Sequence, residues 1–213
     1  MKITNGVGAL LVAATVVTGA QAAVLFNNGG PVGGGISNDA SGWVQANDFL
    51  IASNATVTGG AIYIEEQQPG EAWDGTFNYY IFADAGGMPG SVPLVSGAAQ
   101  NIVQTSTGIT DQAGTGFIQE LDFDLAAPFL ATGGTTYWFA VHLANNFNTF
   151  SSAAWSATGS GNEKESFGGT FDNWTGNGRD GAYRLVGSVP EPATVGLLAI
   201  GLAGLAARRR HRA

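Results

Sequence analysis

The stretch TTYWFAVHL, residues 135–143, repeats its residue character with a period of two. Successive side chains of a β-strand point to opposite faces, so alternate residues share a face. Aromatic and β-branched residues also favour strands. The stretch therefore predicts a strand with two distinct faces. One face carries Tyr137, Phe139, Val141 and Leu143, and the other carries Trp138, Ala140 and His142.

Other short segments repeat this pattern, and turn clusters rich in Gly, Asn and Asp separate them at residues 84–90, 132–135 and 173–181. No long stripe with the helical period appears between them. Eight to ten short strands at this spacing are typical of an all-β fold. We predict an antiparallel β-sandwich, jelly-roll-like, over residues 23–188, with a closed barrel as the alternative. The further strand segments are ATVTGGAIYIEE (55–66), GTFNYYIFAD (75–84), GFIQELDFDL (116–125) and GAYRLVG (181–187).

Two of these segments make specific predictions about local geometry. In ATVTGGAIYIEE, the pair Gly59-Gly60 interrupts the alternation of apolar residues, which indicates a β-bulge. In GFIQELDFDL, strict alternation places one set of side chains inward and the other outward. The inward set is Phe117, Gln119, Leu121, Phe123 and Leu125, and the outward set is Ile118, Glu120, Asp122 and Asp124.

The N-terminus has the three parts of a secretory signal peptide. Lys2 supplies a positive charge, residues 7–17 form a short apolar region, and Ala20-Gln21-Ala22 is a small-x-small cleavage site. The apolar region is too short for a stable membrane span. We therefore predict a signal peptide over residues 1–22, with cleavage directed by Ala20 and Ala22, and export of the mature chain.

The C-terminus, residues 189–213, also has three parts. The 15 apolar residues 193–207 would form a helix of about 22 Å, which the stems of the following arginines extend toward the span of a bilayer. Lysines and arginines stay on the cytoplasmic side, so the body of the protein would lie outside. Prolines cannot enter a helix interior, so the triplet Pro190-Glu191-Pro192, which precedes the apolar residues, would be extended and accessible. The parts are Val189-Pro190-Glu191-Pro192, the transmembrane helix, and the cluster Arg208, Arg209, Arg210 and Arg212 with His211.

This tail resembles the PEP-CTERM sorting signal of Gram-negative bacteria, and a plain C-terminal anchor helix is the alternative. The resemblance implies that exosortase, a membrane-embedded transpeptidase, is the processing partner. It implies an inner-membrane intermediate, followed by the cell surface or the extracellular matrix. It also implies an association with exopolysaccharide and biofilm. Segments such as FNYYIFADAGGMPGS (77–91) resemble an extracellular β-sandwich found in proteins with this tail, which supports the fold and adds no substrate.

Charge is distributed unevenly along the chain, which has 8 basic and 16 acidic residues and a net charge of −8. Between residues 3 and 207 the only basic residues are Lys164, Arg179 and Arg184. An acidic body repels phosphate backbones, so nucleic acid is excluded as a partner. The chain has no cysteine, which excludes disulfides and thiol chemistry.

Carboxylates at every second position of GFIQELDFDL suggest a calcium site. Glu120, Asp122 and Asp124 share the outward face of the predicted strand, and calcium prefers several oxygen ligands. Alternate residues on a strand lie about 7 Å apart, so other groups would have to complete the site. The simpler interpretation is a solvated strand face. A second oxygen-rich set is Asp172, Asn173, Asn177 and Asp180, which has no EF-hand spacing.

Aromatic residues in loops suggest a carbohydrate-binding module as an alternative function. Trp73 and Trp174 have polar neighbours and stand in turn-like contexts, where exposed rings could stack on sugar rings. Packing in the core is the competing interpretation, because aromatic residues dominate sandwich cores.

Signatures of an enzyme are weak, and we predict a protein without catalytic activity. His142 is the only histidine outside the tail, and the chain contains neither GxSxG nor HExxH. Paired carboxylates of a glycoside hydrolase are close in space rather than in sequence, so this activity stands as a third alternative. We predict no cofactor besides the candidate calcium.

Overall fold

The structure, a computed structural model, describes residues 22–32, 37–65, 73–111, 114, 116–147 and 154–190. The predicted signal peptide, apart from Ala22, and the predicted C-terminal helix lie outside these residues. Within the described ranges, no helix has the length and apolar character needed to cross a membrane.

The described residues form fourteen strands, and the all-β prediction is confirmed. The first strand begins at Ala23 and the last ends at Ser188. The strands are β1 (Ala23–Asn27), β2 (Ser37–Asp39), β3 (Trp43–Leu50), β4 (Ala55–Glu65), β5 (Asn78–Ala83), β6 (Val95–Ala98), β7 (Gln100–Thr110), β8 (Phe117–Ala131), β9 (Thr136–His142), β10 (Ala154–Gly159), β11 (Lys164–Phe167), β12 (Thr175–Gly176), β13 (Asp180–Gly181) and β14 (Tyr183–Ser188).

The strands build two antiparallel sheets. In the first sheet, β4 pairs with β14 and β10 along one edge and with β8 along the other, while β1 and β7 lie outermost. The second sheet has the order β12-β11-β3-β9-β5-β6. No hydrogen-bonded strand pair joins the two sheets in the described part of the chain, in contrast to a closed barrel. The jelly-roll connectivity stays a prediction.

The two sheets face each other across an aromatic core. The ring of Phe139, on β9 of the second sheet, lies 5.9 Å from Phe123 and 5.5 Å from Tyr183, which belong to the first sheet. The predicted inward face of β9 enters this core completely, with Tyr137, Phe139, Val141 and Leu143 all buried. Burial of these rings removes large apolar areas from water and holds the sheets together.

A second apolar cluster covers the outer face of the second sheet. Trp138 and Phe82, which point away from the inter-sheet core, are 1% and 0% exposed. Trp174 and Phe171 reach this face from the loop between β11 and β12 and pack on Phe82 at 5.4 and 5.2 Å. The second predicted face of this strand, with Trp138, Ala140 and His142, is therefore also buried, and β9 is covered on both sides.

The start of β8 departs from the predicted alternation. Phe117 is 53% exposed and Ile118 is 1% exposed, the reverse of the prediction. The β7–β8 ladder shifts register between Ser106 and Thr110, so the pairing slips just where β8 begins. From Leu121 to Leu125 the alternation holds as predicted.

The bulge predicted at Gly59-Gly60 is confirmed. In the ladder with β14, β4 advances two residues from Val57 to Gly59 while β14 advances one, from Gly187 to Val186, so Thr58 is the extra residue beside the glycine pair. A Cβ atom on Gly59 would overlap the carbonyl oxygen of Phe123, and one on Gly60 would overlap that of Arg184. Glycine is required at both positions because neighbouring backbones approach too closely for any side chain.

We expect Gly60→Ala to lower the free energy of unfolding by about 1–3 kcal/mol, because the added methyl group forces β14 away from β4. Urea unfolding of the mature chain measures this loss. Gly159→Ala is the matched control, since Gly159 also lies in a strand and a Cβ there meets no atom within 4 Å. Equal stability of the two variants would contradict the steric explanation.

Candidate functional site

The sorting-like motif begins directly where the last strand ends. Ser188 is the last residue of β14 and pairs with Thr56 of β4. Val189 is 46% exposed, and Pro190 is also exposed. Ala20, Glu191, Pro192 and the arginines at 208–210 and 212 lie outside the described residues. Val189 is therefore the only residue between the last strand and the triplet Pro190-Glu191-Pro192.

We call this part of the molecule the exit end; it comprises the β3–β4 turn (51–54), the β8–β9 turn (132–135) and residues 188–190. The two turns bind each other, with Gly134 N donating to Ile51 O at 2.8 Å and Gly133 N donating to Asn54 Oδ1 at 2.9 Å. Pro190 lines a shallow cavity of about 230 Å³ together with Leu130 and residues of both turns. The start of the motif thus rests on a rigid, hydrogen-bonded end of the sandwich.

The candidate calcium ligands of β8 are occupied by protein groups. Arg184, on β14, forms ion pairs with Glu120 and with Asp122, the latter at 2.5 Å. Asp124 accepts a hydrogen bond from Asn101 Nδ2 at 2.8 Å. A guanidinium therefore supplies the positive charge that the calcium hypothesis assigned to a metal ion.

The second oxygen-rich set is divided among separate contacts. Asp172 accepts hydrogen bonds from Thr170 Oγ1 and Asn173 Nδ2, at 2.5 and 3.1 Å. Asn177 has a different partner, because its Nδ2 donates to Glu163 at 2.7 Å. In the ranges that the structure describes, no three His, Cys, Asp or Glu side chains are grouped so that they could hold a metal ion.

The two candidate sugar-binding tryptophans lie in different parts of the molecule. Trp73 is half-buried, packs against the inter-sheet core and donates from Nε1 to Thr76 O at 2.8 Å. Trp174 is only 9% exposed and belongs to the cluster on the outer face of the second sheet. Its ring is nearly parallel to that of Phe171, at 6.1 Å. The structure does not bring Trp73 and Trp174 together as one stacking platform.

A groove of about 410 Å³ lies beside Trp174. Its walls are the turn after β5, with Met88, and the loop that carries Phe171, Asp172 and Asn173. Asp172 and Asn173 are exposed. The groove therefore combines a half-buried aromatic ring with a carboxylate and an amide, which are the groups that position polar ligands.

A buried carboxylate, Glu163, lies between the two sheets near the middle of β3, and no sequence pattern predicts it. Glu163 is 1% exposed and accepts hydrogen bonds from Asn38, from Asn47 Nδ2 at 3.0 Å and from Asn177 Nδ2 at 2.7 Å. No cationic side chain of the described residues lies within 4 Å of it. Glu163 stands in the polar run GNEKES, where no pattern distinguishes it from a surface residue.

The surroundings of Glu163 disfavour its charged form. Burial raises the pKa of this carboxyl, against the effect of the three amide donors, and the charge of Glu165 raises it further. The hydrogen bonds of this network connect β2, which carries Asn38, with β3, which carries Asn47. They also reach β13, because Asn47 Oδ1 accepts from Gly181 N at 2.9 Å. The network is therefore a structural cross-link between both sheets.

His142 is held in a structural contact. Its Nε2 atom lies 2.9 Å from the carbonyl oxygen of Ser41, which only accepts, so Nε2 carries a proton. The ring stacks on Phe147 at 4.0 Å. Burial lowers the pKa of His142, against the opposing effect of the bond to Ser41. Its protonated Nε2 cannot act as a base toward a serine.

Comparison with known families identifies the tail. Residues 188–210 match the PEP-CTERM protein-sorting motif. No curated protein shows significant sequence similarity to the chain. The motif marks an exported protein that exosortase sorts to the cell envelope or surface. It begins at Ser188, the last residue of β14, so the recognition sequence starts at the exit end of the sandwich.

Proposed function

We propose that this PEP-CTERM protein is a non-enzymatic component of the cell surface or extracellular matrix, associated with exopolysaccharide. The match of residues 188–210 to the sorting motif supports the route, and the acidic, compact β-sandwich suits an extracellular scaffold. The chain enters the inner membrane through its apolar tail, with Arg208–Arg210 retained on the cytoplasmic side. Exosortase then recognises the triplet Pro190-Glu191-Pro192 and removes the tail.

The intact mass of the protein, made in its own host, tests the sorting step. We expect a mature chain that starts at Ala23 and ends near the triplet 190–192, recovered from the outer or extracellular fraction. A full-length C-terminus in the inner membrane would instead make the tail a permanent anchor. The same cells without exosortase are the control and should accumulate the uncleaved form.

Carbohydrate binding is the second candidate function, and the groove beside Trp174 favours it. Phe171 offers a half-buried ring, while Asp172 and Asn173 offer exposed polar groups for sugar hydroxyls. Trp174 also lines the groove, and its ring lies nearly parallel to that of Phe171 at 6.1 Å. Trp73 belongs to the inter-sheet core and takes no part in this site.

An affinity gel that contains the exopolysaccharide of the host tests this candidate. We expect Asn173→Ala to reduce retardation of the mature chain several-fold, because the variant removes an amide that binds hydroxyl groups. Asn145→Ala is the matched control, since Asn145 is equally exposed but lies outside the groove. If both variants are retarded equally, or if the wild type is not retarded at all, the groove is not the polysaccharide-binding site. Release of sugars from the gel would favour the third alternative, a glycoside hydrolase.

A further inference from the structure

The strand registers place three connecting turns and both ends of the sandwich body on one side of the molecule. Leu50 pairs with Thr136, and Ala55 pairs with Ala131, so the β3–β4 and β8–β9 turns are adjacent. Ala83 pairs with Tyr137, which brings the β5–β6 turn (84–94) to the same side. Ala23 pairs with Gly187, so the start of β1 is also there.

Exposed apolar side chains are concentrated on this side of the molecule, at the exit end and at the neighbouring strand ends and β5–β6 turn. Ten large apolar residues are exposed in the part of the chain that the structure describes, and six of them lie here. The most exposed is Leu130, at 75%, which lies beside Pro190 in the shallow cavity. Concentration of exposed apolar groups marks a contact surface rather than random scatter. The six are Val24, Leu50, Val92, Leu94, Leu130 and Val189.

Charge is concentrated away from the exit end. Residues 50–64, 125–141 and 185–190 contain no Asp, Glu, Lys or Arg. The one acidic residue in the three turns is Asp84, whose carboxylate accepts from Trp138 Nε1 at 2.8 Å on the outer face of the second sheet. The opposite end carries Asp39 and Glu65, which both pair with Ala154 at the far end of β4, and Glu120 pairs with Tyr63 nearby. An anionic surface that approached the exit end would therefore meet little repulsion.

The length of the linker limits how far the exit end can lie from the membrane. Four residues, 189–192, separate Ser188 from the apolar run that starts at Ala193. A fully extended chain spans at most about 3.6 Å per residue, so the run begins within roughly 18 Å of the end of β14. The headgroup layer occupies about 5–8 Å of that distance. The apolar run is shorter than the hydrocarbon core, which draws the linker further inward.

We infer that the exit end of the sandwich rests on the lipid surface of the inner membrane while the tail is inserted. Leu50, Leu130 and Val189 contact the headgroup region, and the acidic end points away from the bilayer. This inference rests on the membrane stage of the proposed function. It orients the folded domain so that Pro190 is presented at the membrane surface, where the processing enzyme acts.

Single-cysteine labelling tests the orientation directly, because the chain has no cysteine of its own. Leu130→Cys and Phe117→Cys place an environment-sensitive fluorophore at opposite ends of β8, roughly 30 Å apart, because the register with β4 shortens β8 between Asp124 and Phe129. Both side chains are exposed, at 75% and 53%, so the labelled proteins should fold. Residues 23–213, with the apolar tail intact, are inserted into vesicles of phosphatidylethanolamine and phosphatidylglycerol that contain a lipid with a spin-labelled headgroup.

We expect the label at position 130 to lose most of its emission and the label at position 117 to keep nearly all of it. Equal quenching at both positions, or none at either, would overturn the orientation. A label at Thr132→Cys, combined with Leu50→Asp and Leu130→Asp, separates apolar contact from tethering. Loss of quenching in that variant supports the contact, whereas unchanged quenching would overturn it and leave the linker as the only cause.

The outcome is independent of processing by exosortase. Flotation of the vesicles shows separately whether the tail inserts, and failure to float would remove the basis of the inference. A protein that is cleaved normally in its host, yet shows no difference between positions 117 and 130, would disprove only the orientation. Cross-linking of position 130 to a membrane protein without quenching by lipid would assign the surface to that protein and overturn the lipid contact.

Discussion

Full-length protein that carries Pro190→Ala together with Pro192→Ala should stay uncleaved in the inner membrane, with almost complete loss of the processed form. Proline holds its own backbone, and that of the preceding residue, in extended conformations that a helix cannot continue. Alanine has the highest helix propensity, so the helix of the apolar run would extend backward through residues 190–192. An extended peptide between Ser188 and the bilayer would no longer be available for recognition.

The matched control replaces two prolines of the folded body, Pro31→Ala and Pro93→Ala. It changes the same residue type twice but leaves the motif intact, so processing should be normal. Cell fractionation with intact-mass analysis measures both variants. Normal release of the Pro190/Pro192 variant would refute recognition of the triplet and would favour a plain anchor helix.

Loss of the buried carboxylate should have the largest effect on stability. We expect Glu163→Ala to lower the free energy of unfolding by about 3–5 kcal/mol, since each buried group that loses its partner costs roughly 1–3 kcal/mol. The amides of Asn38, Asn47 and Asn177 would all lose an acceptor. Glu163→Gln is the isosteric control and should lose much less, because its amide oxygen still accepts. Urea unfolding at one pH compares the two variants.

The contribution of Glu163 to the free energy of unfolding should decrease as the pH rises. Burial raises the pKa of Glu163 in the folded chain above its unfolded value, so the native state binds this proton more tightly. The stability that results is fully present below the unfolded pKa, about 4.3, and is lost as the pH rises through the folded pKa. The glutamine of Glu163→Gln does not titrate, so this variant lacks the pH-dependent contribution. The stability of the wild type relative to Glu163→Gln should therefore fall from acidic to neutral pH, and parallel profiles would show that Glu163 is not the titrating group.

Local patterns of the sequence were sufficient for five of the fourteen strands, β4, β5, β8, β9 and β14, and for the sorting tail, although only eight to ten strands were expected. The alternation in residues 135–143 and 181–187 corresponds to β9 and β14, because a strand's period of two depends only on its own backbone. The glycine pair in β4 indicated its bulge for the same reason. The sorting motif is short and contiguous, so its match at residues 188–210 was also accessible without the fold.

Long-range contacts decided what the local patterns left open. The outer face of the second sheet is buried because Phe171 and Trp174 return to it from about thirty residues after β9. Glu163 can be buried only because Asn38 and Asn47, more than a hundred residues earlier in the chain, donate hydrogen bonds to its carboxylate. Arg184 likewise forms ion pairs with Glu120 and Asp122, two of the β8 carboxylates whose spacing in the sequence suggested a calcium site.

Two kinds of information therefore describe this protein. The sequence by itself determined the strand periodicity, the bulge and the sorting tail, because each depends on residues that are neighbours in the chain. The tertiary structure alone decided which strand faces are buried, which carboxylates are paired and which end of the sandwich adjoins the tail. These depend on pairing registers between distant segments, which no local pattern specifies.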